Sequence, residues 1–211
     1  MDAETCIRKI GYVGIVEMAT VDSHGDPQVR VISTLHFEGD RIYFLTARGK
    51  PFAEEIAGSG KLQMIAYTMY KEAIRAYGRV RRVTPVEEED RIRDAVFEEQ
   101  PYMENVYPGP SRSILSAYVM EDYGIEYFNL GVHPIERAVF DVGDHVSERK
   151  GYFITDGCIG CGKCVKGCPQ QVIAKGRPSV INQEHCLQCG ICFEGCPVKA
   201  VVHRRDLPAD H

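Results

Sequence analysis

One cysteine pattern occurs twice near the carboxyl end of the 211-residue chain and strongly limits what this part can fold into. Each copy has the spacing C-x2-C-x2-C-x3-C-P, the first from Cys158 to Pro169 and the second from Cys186 to Pro197. Eight of the nine cysteines lie in these two runs, and only Cys6 lies outside them. A secreted disulfide framework spreads its cysteines over a small chain, whereas most of this chain holds a single thiol. The distribution favours metal ligation in a reducing compartment.

The doubled run resembles the bacterial ferredoxins that hold two iron-sulfur clusters, and the resemblance covers roughly residues 150–203. In that family three closely spaced thiolates of one run hold one cluster, and the fourth cysteine ligates the other cluster. The resemblance therefore implies two 4Fe-4S clusters with crossed ligands. One ligand set is Cys158, Cys161, Cys164 and Cys196, and the other is Cys186, Cys189, Cys192 and Cys168.

Glycines inside the two runs suit loops that wrap closely around a cluster. We expect them to supply positive φ angles or close backbone approach. The alternative is a pair of structural zinc sites, which also use C-x2-C pairs. A four-ligand zinc site gives no role to the third cysteine of each run, so the spacing favours the clusters. These glycines are Gly160, Gly162, Gly167, Gly190 and Gly195.

The charge distribution predicts two different domains. Residues 151–211 hold seven Lys or Arg and five Asp or Glu, a formal +2, so the remaining residues must carry −7 to give the total of −5. A net negative chain repels nucleic acid and anionic membranes, so we expect neither as a partner. The apolar runs are too short for a membrane helix, and the chain start lacks the pattern of a signal peptide. We therefore expect a cytoplasmic protein.

The pattern of residues before the cysteine runs predicts an α+β domain. Apolar and polar residues alternate in short strands from Val13 to Asp141, with a polar turn at 22–27. Pro51 predicts the start of a short helix, and Thr84-Pro85-Val86-Glu87 predicts a capped helix that runs to about Gln100. We place a linker near residues 143–150. The predicted domains are residues 1–146 and 147–211, an antiparallel barrel or sandwich followed by a small iron-sulfur domain.

The order of motifs in the first domain resembles the FMN-binding split β-barrel of the pyridoxamine-phosphate-oxidase-like superfamily, over nearly all of residues 5–142. The motifs are the Gly-Asp-Pro turn, Arg30-Val31-Ile32-Ser33, Phe44-Leu45-Thr46, Lys50-Pro51 before a helix, and Arg75-Ala76-Tyr77-Gly78. The resemblance implies an FMN site and a homodimer. It implies that Arg30 and Lys50 meet the flavin phosphate and that Thr46 adds a hydrogen bond. The backbone of Val31, Ile32 and Ser33 would line the isoalloxazine edge.

The sequence departs from the oxidase motif at one position, and the superfamily allows other cofactors. Leu35 stands where the specific oxidase would end its strand in lysine, so pyridoxamine phosphate is not the expected substrate. Members of the superfamily also bind haem or a deazaflavin, and the candidate axial ligands for haem would be His36, His133 and His145. Lone histidines are more often surface or hydrogen-bonded residues than iron ligands.

Cys6, the cysteine outside the two runs, is interpreted as a small buried hydrophobe.

Two redox modules on one chain predict a joint function. A flavin accepts one or two electrons, whereas an iron-sulfur cluster passes one at a time. We expect a flavin-dependent oxidoreductase whose clusters exchange electrons with FMN, and whose partner is a redox protein or a small-molecule electron acceptor. The alternative classes are a non-enzymatic electron carrier or redox sensor, and a haem-binding barrel protein. No catalytic side chain can be assigned, and the substrate stays open.

Overall fold

The computed structural model describes residues 1–208, so the last three residues of the predicted 147–211 domain lie outside the described part. The chain forms two compact units. The first comprises residues 1–69, 73–126 and 139–146. The second comprises residues 70–72 and 127–138 together with the chain from Ser147 onward.

Ten strands in two sheets lie before residue 143. One sheet has six strands in the order β10-β9-β6-β5-β1-β2, and a second sheet has four in the order β3-β4-β8-β7. The strands are β1 (Val16–Val21), β2 (Pro27–Ile32), β3 (Leu35–Glu38), β4 (Arg41–Ala47), β5 (Lys61–Tyr67), β6 (Glu72–Arg79), β7 (Arg81–Arg82), β8 (Leu115–Met120), β9 (Tyr123–Asn129) and β10 (Glu136–Val142).

The first hairpin of the chain forms at the predicted turn. Strands β1 and β2 pair across the 22–26 turn with Met18 opposite Arg30, and Asp22 stabilises this turn by accepting the backbone N–H groups of His24 and Asp26. Strands β3 and β4 pair across Gly39 and Asp40. Strands β2 and β3 follow each other closely but belong to different sheets, because the chain leaves one sheet after Ile32 and enters the other at Leu35.

Four helices lie among these strands: α1 (Ala3–Val13), α2 (Pro51–Ser59), α3 (Val86–Glu99) and the short α4 (Met103–Val106). A 3-10 helix follows at Gly109–Ile114. Helix α1 was not part of the predicted pattern, although Asp2 caps it by accepting the Thr5 N–H at 2.8 Å. Cys6, Ile7 and Ile10 form its buried face, and Cys6 is fully buried, as expected for a small hydrophobe.

The predicted capping box at Thr84 is wrong. Pro85 is the N-cap of α3, in an extended conformation (φ −75°, ψ −178°), and no side chain caps the helix. Thr84 therefore lies outside the helix. The first turn of α3 is acidic, and its Glu87, Glu88 and Glu89 complement the helix dipole.

Helix α3 covers one face of the four-stranded sheet and builds a core there. Ile92 and Val96 are fully buried against Tyr43 and Leu45 of β4 and Ala117 of β8. Burying each such aliphatic side chain contributes about 1.5–3 kcal/mol. Phe44 and Thr46 lie on the opposite face of β4, because successive side chains of a strand point to opposite faces of its sheet. This alternation decides which residues of β4 face the interior between the two sheets.

The second unit is built from short elements around the cysteine runs. They are β11 (Tyr152–Ile154), α5 (Lys163–Gly167), β12 (Ile173–Ala174), β13 (Val180–Ile181), α6 (Ile191–Glu194) and β14 (Val201–His203). Strand β11 pairs with β14, and β12 pairs with β13, both antiparallel. In the described part of the chain, no helix is long and apolar enough to cross a membrane.

Candidate functional site

The two cysteine runs fold into loops with the same local geometry. The Gly160 N–H donates to Cys158 Sγ at 3.4 Å, and the Gln188 N–H donates to Cys186 Sγ at 3.3 Å. Gly160 and Gln188 occupy equivalent places in the two runs, and both have positive φ angles, +70° and +59°. The sequence repeat is thus a structural repeat that turns backbone N–H groups toward sulfur.

Glycine is needed where each loop passes into its helix. Gly162 and Gly190 precede α5 and α6 with φ angles of +72° and +86°. A Cβ on Gly190 would also lie 3.0 Å from the Tyr152 hydroxyl. Positive φ is thus confirmed at Gly160, Gly162 and Gly190, and close approach at Gly195, where a Cβ would lie 3.0 Å from the Ile191 carbonyl oxygen. Gly167 has no positive φ, and a Cβ there would lie 3.4 Å from Ile191 Cγ2.

Four cysteines line one cavity in the second unit. Three come from the second run and the fourth comes from the end of the first run. Apolar side chains such as Ile173, Ile181 and Leu187 complete the walls, and the Tyr152 ring closes one side. The four cysteines are Cys168, Cys186, Cys189 and Cys192.

Burial favours the protonated form of two thiols in this cavity. It raises the pKa of Cys192 to about 11, and it also raises the pKa of Cys186, in both cases with a further contribution from neighbouring cysteines. A metal or cluster must displace these protons, because thiolates are the ligands. The arrangement supplies four sulfur donors in an apolar enclosure, which suits an iron-sulfur cluster.

The first three cysteines of the first run form a second group. Burial, with smaller contributions from Cys158 and Cys161, raises the pKa of Cys164, so the three thiols are close enough to interact. Hydrogen bonds from the backbone of Ser179 and Gly160 lower the pKa of Cys158. A loop that donates N–H groups to sulfur stabilises the thiolate form.

Cys196 is the remaining member of the predicted first set. Its Sγ accepts the Ala200 N–H at 3.2 Å, and it packs against the same core as Cys158 and Cys164. Within residues 1–208, no group of three or more His, Cys, Asp or Glu side chains is spaced to hold a single metal ion. Thiolates around a four-iron cluster bind separate irons and therefore stand farther apart than ligands of one ion.

Arg30, the predicted phosphate contact, lies beneath the start of α2. Its guanidinium lies 2.7 Å from Glu55, donates to Thr20 Oγ1 at 2.5 Å and stacks 4.3 Å from the centre of the Phe52 ring. Thr20 also donates to Glu55. The sequence analysis did not identify Thr20 or Glu55, although a charged residue within an apolar strand is a signal that a buried partner exists.

Lys50 is exposed and is the N-cap of α2, where no side chain caps the helix. The free N–H groups of a nine-residue helix favour an anion at this end, and Lys50 adds a positive charge. Thr46 is buried in β4 opposite Ser116 of β8. The two predicted cationic residues, Arg30 and Lys50, thus lie at or beneath the first turn of α2. This arrangement suits the binding of a phosphate.

The Val31-Ile32-Ser33 segment joins the two sheets between β2 and β3. Val31 is 63% exposed, so this segment is accessible from outside. The Ser33 hydroxyl lies 2.6 Å from the Tyr102 hydroxyl, which in turn donates to the Gln100 side chain. Tyr102 is a site neighbour that the sequence analysis missed, because 69 residues separate it from Ser33.

The three candidate haem ligands do not form a group. Both ring nitrogens of His36 are close to carboxylates, at 2.9 Å from Glu99 and 3.2 Å from Glu38. His145 packs edge-on against Tyr77 at 5.4 Å between ring centroids, and His133 is exposed. The His36 ring is therefore already engaged at both nitrogens.

Comparison with protein families identifies both parts of the chain. A model described as pyridoxamine 5′-phosphate oxidase matches residues 9–119, and one described as a 4Fe-4S dicluster domain matches residues 150–197. Together with the fold and the sulfur-lined cavity, these matches define a redox protein of the flavin and iron-sulfur class. The chain belongs to the pyridoxamine 5′-phosphate oxidase family.

One curated relative is a pyridoxine/pyridoxamine 5′-phosphate oxidase from Photorhabdus laumondii. It is 26% identical over 85 residues, which are 40% of this chain and 39% of the relative. The chain therefore matches about two fifths of the length of that enzyme.

Three solved structures share the fold. They are a NimC/NimA family protein from Clostridium acetobutylicum, an FMN-binding pyridoxamine 5′-phosphate oxidase-related protein from Nostoc punctiforme and a heme binding protein from Mycobacterium smegmatis. Their TM-scores are 0.55, 0.52 and 0.54, at 15%, 16% and 14% identity. In the same order, the matched regions cover 66%, 67% and 67% of this chain and 94%, 88% and 58% of the other protein's chain. The split-barrel class of the first unit is thus confirmed.

Proposed function

We propose that this protein is a flavin-dependent oxidoreductase in which two 4Fe-4S clusters exchange electrons with FMN, and FMN reacts with an unidentified donor or acceptor. The observation that carries the proposal is the cavity lined by four cysteines on the same chain as an oxidase-family domain. Iron-sulfur clusters supply single electrons and a flavin supplies one- or two-electron chemistry, so the pair connects the two kinds of transfer. In this proposal residues 1–146 hold FMN and residues 147–211 hold the clusters.

The crossed ligand sets form part of the proposal. The shared cavity of Cys168 with three cysteines of the second run supports the second set. Interaction among Cys158, Cys161 and Cys164 supports three members of the first set, and Cys196 is its proposed fourth ligand. Backbone N–H donors to sulfur would stabilise the charged clusters, as they do thiolates.

For FMN we propose that Arg30 and Lys50 bind the phosphate, that Thr46 donates a hydrogen bond, and that the backbone of residues 31–33 lines the isoalloxazine edge. Arginine has five N–H donors, and Arg30 uses two of them on Thr20 and Glu55, which leaves three. Its side chain is 21% exposed, so a phosphate can reach it. Glu55 would then hold the Arg30 side chain in position, and its negative charge would partly offset the positive charge that Arg30 presents to the phosphate.

We also propose a homodimer, as the family domain implies, and a cytoplasmic location, because cysteines arranged for metal ligation fit a reducing compartment. Strand β2 is an edge strand of its sheet, and its Val29 and Val31 are 68% and 63% exposed. Neighbouring Val21 of β1 is 50% exposed. Adjacent exposed valines on an edge are typical of a surface that a second copy covers.

Anaerobic stopped-flow mixing tests the electron exchange. With a low-potential donor that does not reduce flavin directly, the cluster absorbance should bleach first and the FMN absorbance afterward. Cys161→Ala should slow FMN reduction while FMN remains bound. An unchanged rate of FMN reduction after removal of both clusters would contradict the proposal.

The other classes give different results in the same preparation. An electron carrier or redox sensor would hold both cofactors but would not turn over any added organic acceptor. A haem-binding protein would show a Soret band instead of flavin absorbance. The engagement of both His36 nitrogens by Glu99 and Glu38 favours the flavin over haem ligation by His36.

A further inference from the structure

A cleft of about 460 Å³ lies in the first unit beside helix α2. Helix residues Ala53, Ile56 and Ala57 line one wall, and residues of β7 and β8 line the other. This volume is in the range of small-molecule sites, which extends from about 300 to 1,000 Å³. The six residues proposed for FMN are not among those that line it.

The cleft combines an apolar floor with a cationic rim. The floor includes Ile56, Val80 and the ring of Tyr118, while the rim carries the guanidinium groups of three arginines. Glu54 is the carboxylate among the lining residues, and it is exposed. The three arginines are Arg48, Arg81 and Arg82.

Two of the rim arginines are held in place from outside the cleft. Arg82 donates two hydrogen bonds to Glu89 at 2.8 and 2.7 Å, and Arg81 pairs with Glu121 at 2.7 Å. The Glu89 side chain is 3% exposed, so Arg82 is anchored on a buried carboxylate. Despite burial, Arg82 holds the pKa of Glu89 below its usual value, so this anchor stays ionised.

The third arginine, Arg48, has no such anchor, and the buried Ser116 hydroxyl lines the same cleft. In the part of the chain that the structure describes, the Arg48 guanidinium makes no ion pair or hydrogen bond. Ser116 is fully buried and lines the cleft; its Oγ interacts with the Glu89 carboxylate and helps to lower the pKa of that carboxyl, but it meets no group of residues 1–208 in full hydrogen-bond geometry. A ligand oxygen in the cleft can therefore complete the hydrogen bonding of this hydroxyl.

We propose that this cleft binds a small molecule that carries one anionic group, a phosphate or a carboxylate, on an apolar body. The anionic group would accept hydrogen bonds from Arg48 and Ser116 Oγ, and the apolar body would cover Ile56 and Val80. Arg82 would add positive charge from a fixed position, because Glu89 holds it from behind. Recognition of an anion by a guanidinium and a hydroxyl gives strong, charge-assisted hydrogen bonds.

This site is independent of the proposed electron exchange. It requires neither the clusters nor FMN, so either proposal can fail without the other. Three probes separate the contributions of the ligand: inorganic phosphate for the anionic group alone, phenyl phosphate for the group on an apolar body, and benzoate for a carboxylate on such a body.

Isothermal titration calorimetry on the anaerobic holoprotein tests the proposal. Phenyl phosphate, benzoate or both should bind with one site per chain, at least about ten-fold more tightly than inorganic phosphate, because the apolar body adds buried area. Arg48→Gln and Ser116→Ala should each weaken the tighter probe about ten-fold or more, as loss of a charge-assisted hydrogen bond does. Arg8→Gln, an exposed arginine of α1 outside the cleft, should change the affinity less than two-fold.

A thermal melt of the same variants distinguishes a ligand site from a packing role. Ser116→Ala should melt close to the parent protein without probe, because it removes only one hydroxyl, and it should lose the probe-induced rise in melting temperature. The proposal is overturned if neither aromatic anion binds at millimolar concentration, or if Arg48→Gln and Ser116→Ala both bind like the parent. Release of FMN by the probe in one-to-one competition would also overturn it, because the cleft would then belong to the flavin site.

Discussion

The Arg30 guanidinium and the Glu55 carboxylate lie 2.7 Å apart beneath helix α2, with side chains only 21% and 7% exposed. Arg30 is therefore not a solvated strand residue, and its charge is oriented by a partner from the helix it supports. A guanidinium fixed in this way loses less conformational entropy when it binds a phosphate.

The first prediction concerns the flavin phosphate. Arg30→Ala and Lys50→Ala should each weaken FMN binding about ten- to hundred-fold, because a hydrogen bond to a charged group contributes about 1.5–3 kcal/mol. Quenching of flavin fluorescence on titration of the flavin-free protein measures this affinity. Arg8→Ala, in α1, is the control and should bind like the parent. Unchanged affinity in both the Arg30 and Lys50 variants would remove them from the phosphate site.

The second prediction concerns the crossing of cluster ligands. Cys168→Ala should damage the cluster of the second run, since Cys168 shares a cavity with Cys186, Cys189 and Cys192. The electron paramagnetic resonance spectrum of the reduced variant should therefore match that of Cys189→Ala and differ from that of Cys161→Ala. A match to the Cys161 variant would show that each run holds its own cluster.

The third prediction concerns stability of the first unit. Glu89 is buried and accepts hydrogen bonds from Arg82 and from the Ala117 N–H at 3.2 Å. Glu89→Gln should lower the free energy of unfolding by about 1–3 kcal/mol, because buried donors lose a charged acceptor. The midpoint of thermal unfolding, followed by circular dichroism, should fall by several degrees. Glu87→Gln, an exposed first-turn residue of the same helix, should leave the midpoint almost unchanged.

The fourth prediction concerns the proposed dimer. Light scattering should give a mass of about twice the 23.7 kDa of one chain. Val29→Lys should shift the mass toward one chain, because a charge on the exposed edge strand β2 opposes burial by a second copy. Val86→Lys changes a valine of similar exposure, 63% against 68%, and should leave the mass unchanged. A monomeric parent protein would contradict the dimer.

The cluster loops were predictable because their chemistry is local in sequence. Fixed spacing brings Cys158 and Cys161 onto one loop, and the glycines at 160, 162 and 190 take the positive φ angles that the repeat suggests. The hairpins β1–β2 and β3–β4 were predictable for a similar reason, because each connects neighbouring strands, whereas the β1–β5 and β4–β8 pairings join strands far apart in the chain. Helix α1 was missed although Asp2 and its buried face gave a local signal.

Other features depend on contacts between distant residues. The partner of Arg30 is 25 residues away in the sequence, and Tyr102 reaches Ser33 across 69 residues. A local reading likewise put the cap of α3 at Thr84, whereas the extended conformation of Pro85 makes it the cap. The rim of the α2 cleft, with Arg48 and Arg82 on separate strand ends, appears only when the sheets are assembled.

The content of cofactors in one anaerobic sample tests the central claim most directly. Iron, acid-labile sulfide and acid-released flavin should be measured together on the full chain, with zinc measured alongside. The account predicts about eight irons, about eight sulfides and one FMN per chain, because two four-cysteine sets each hold a four-iron cluster. Stoichiometric zinc without sulfide, or a chain with clusters and no flavin, would contradict it.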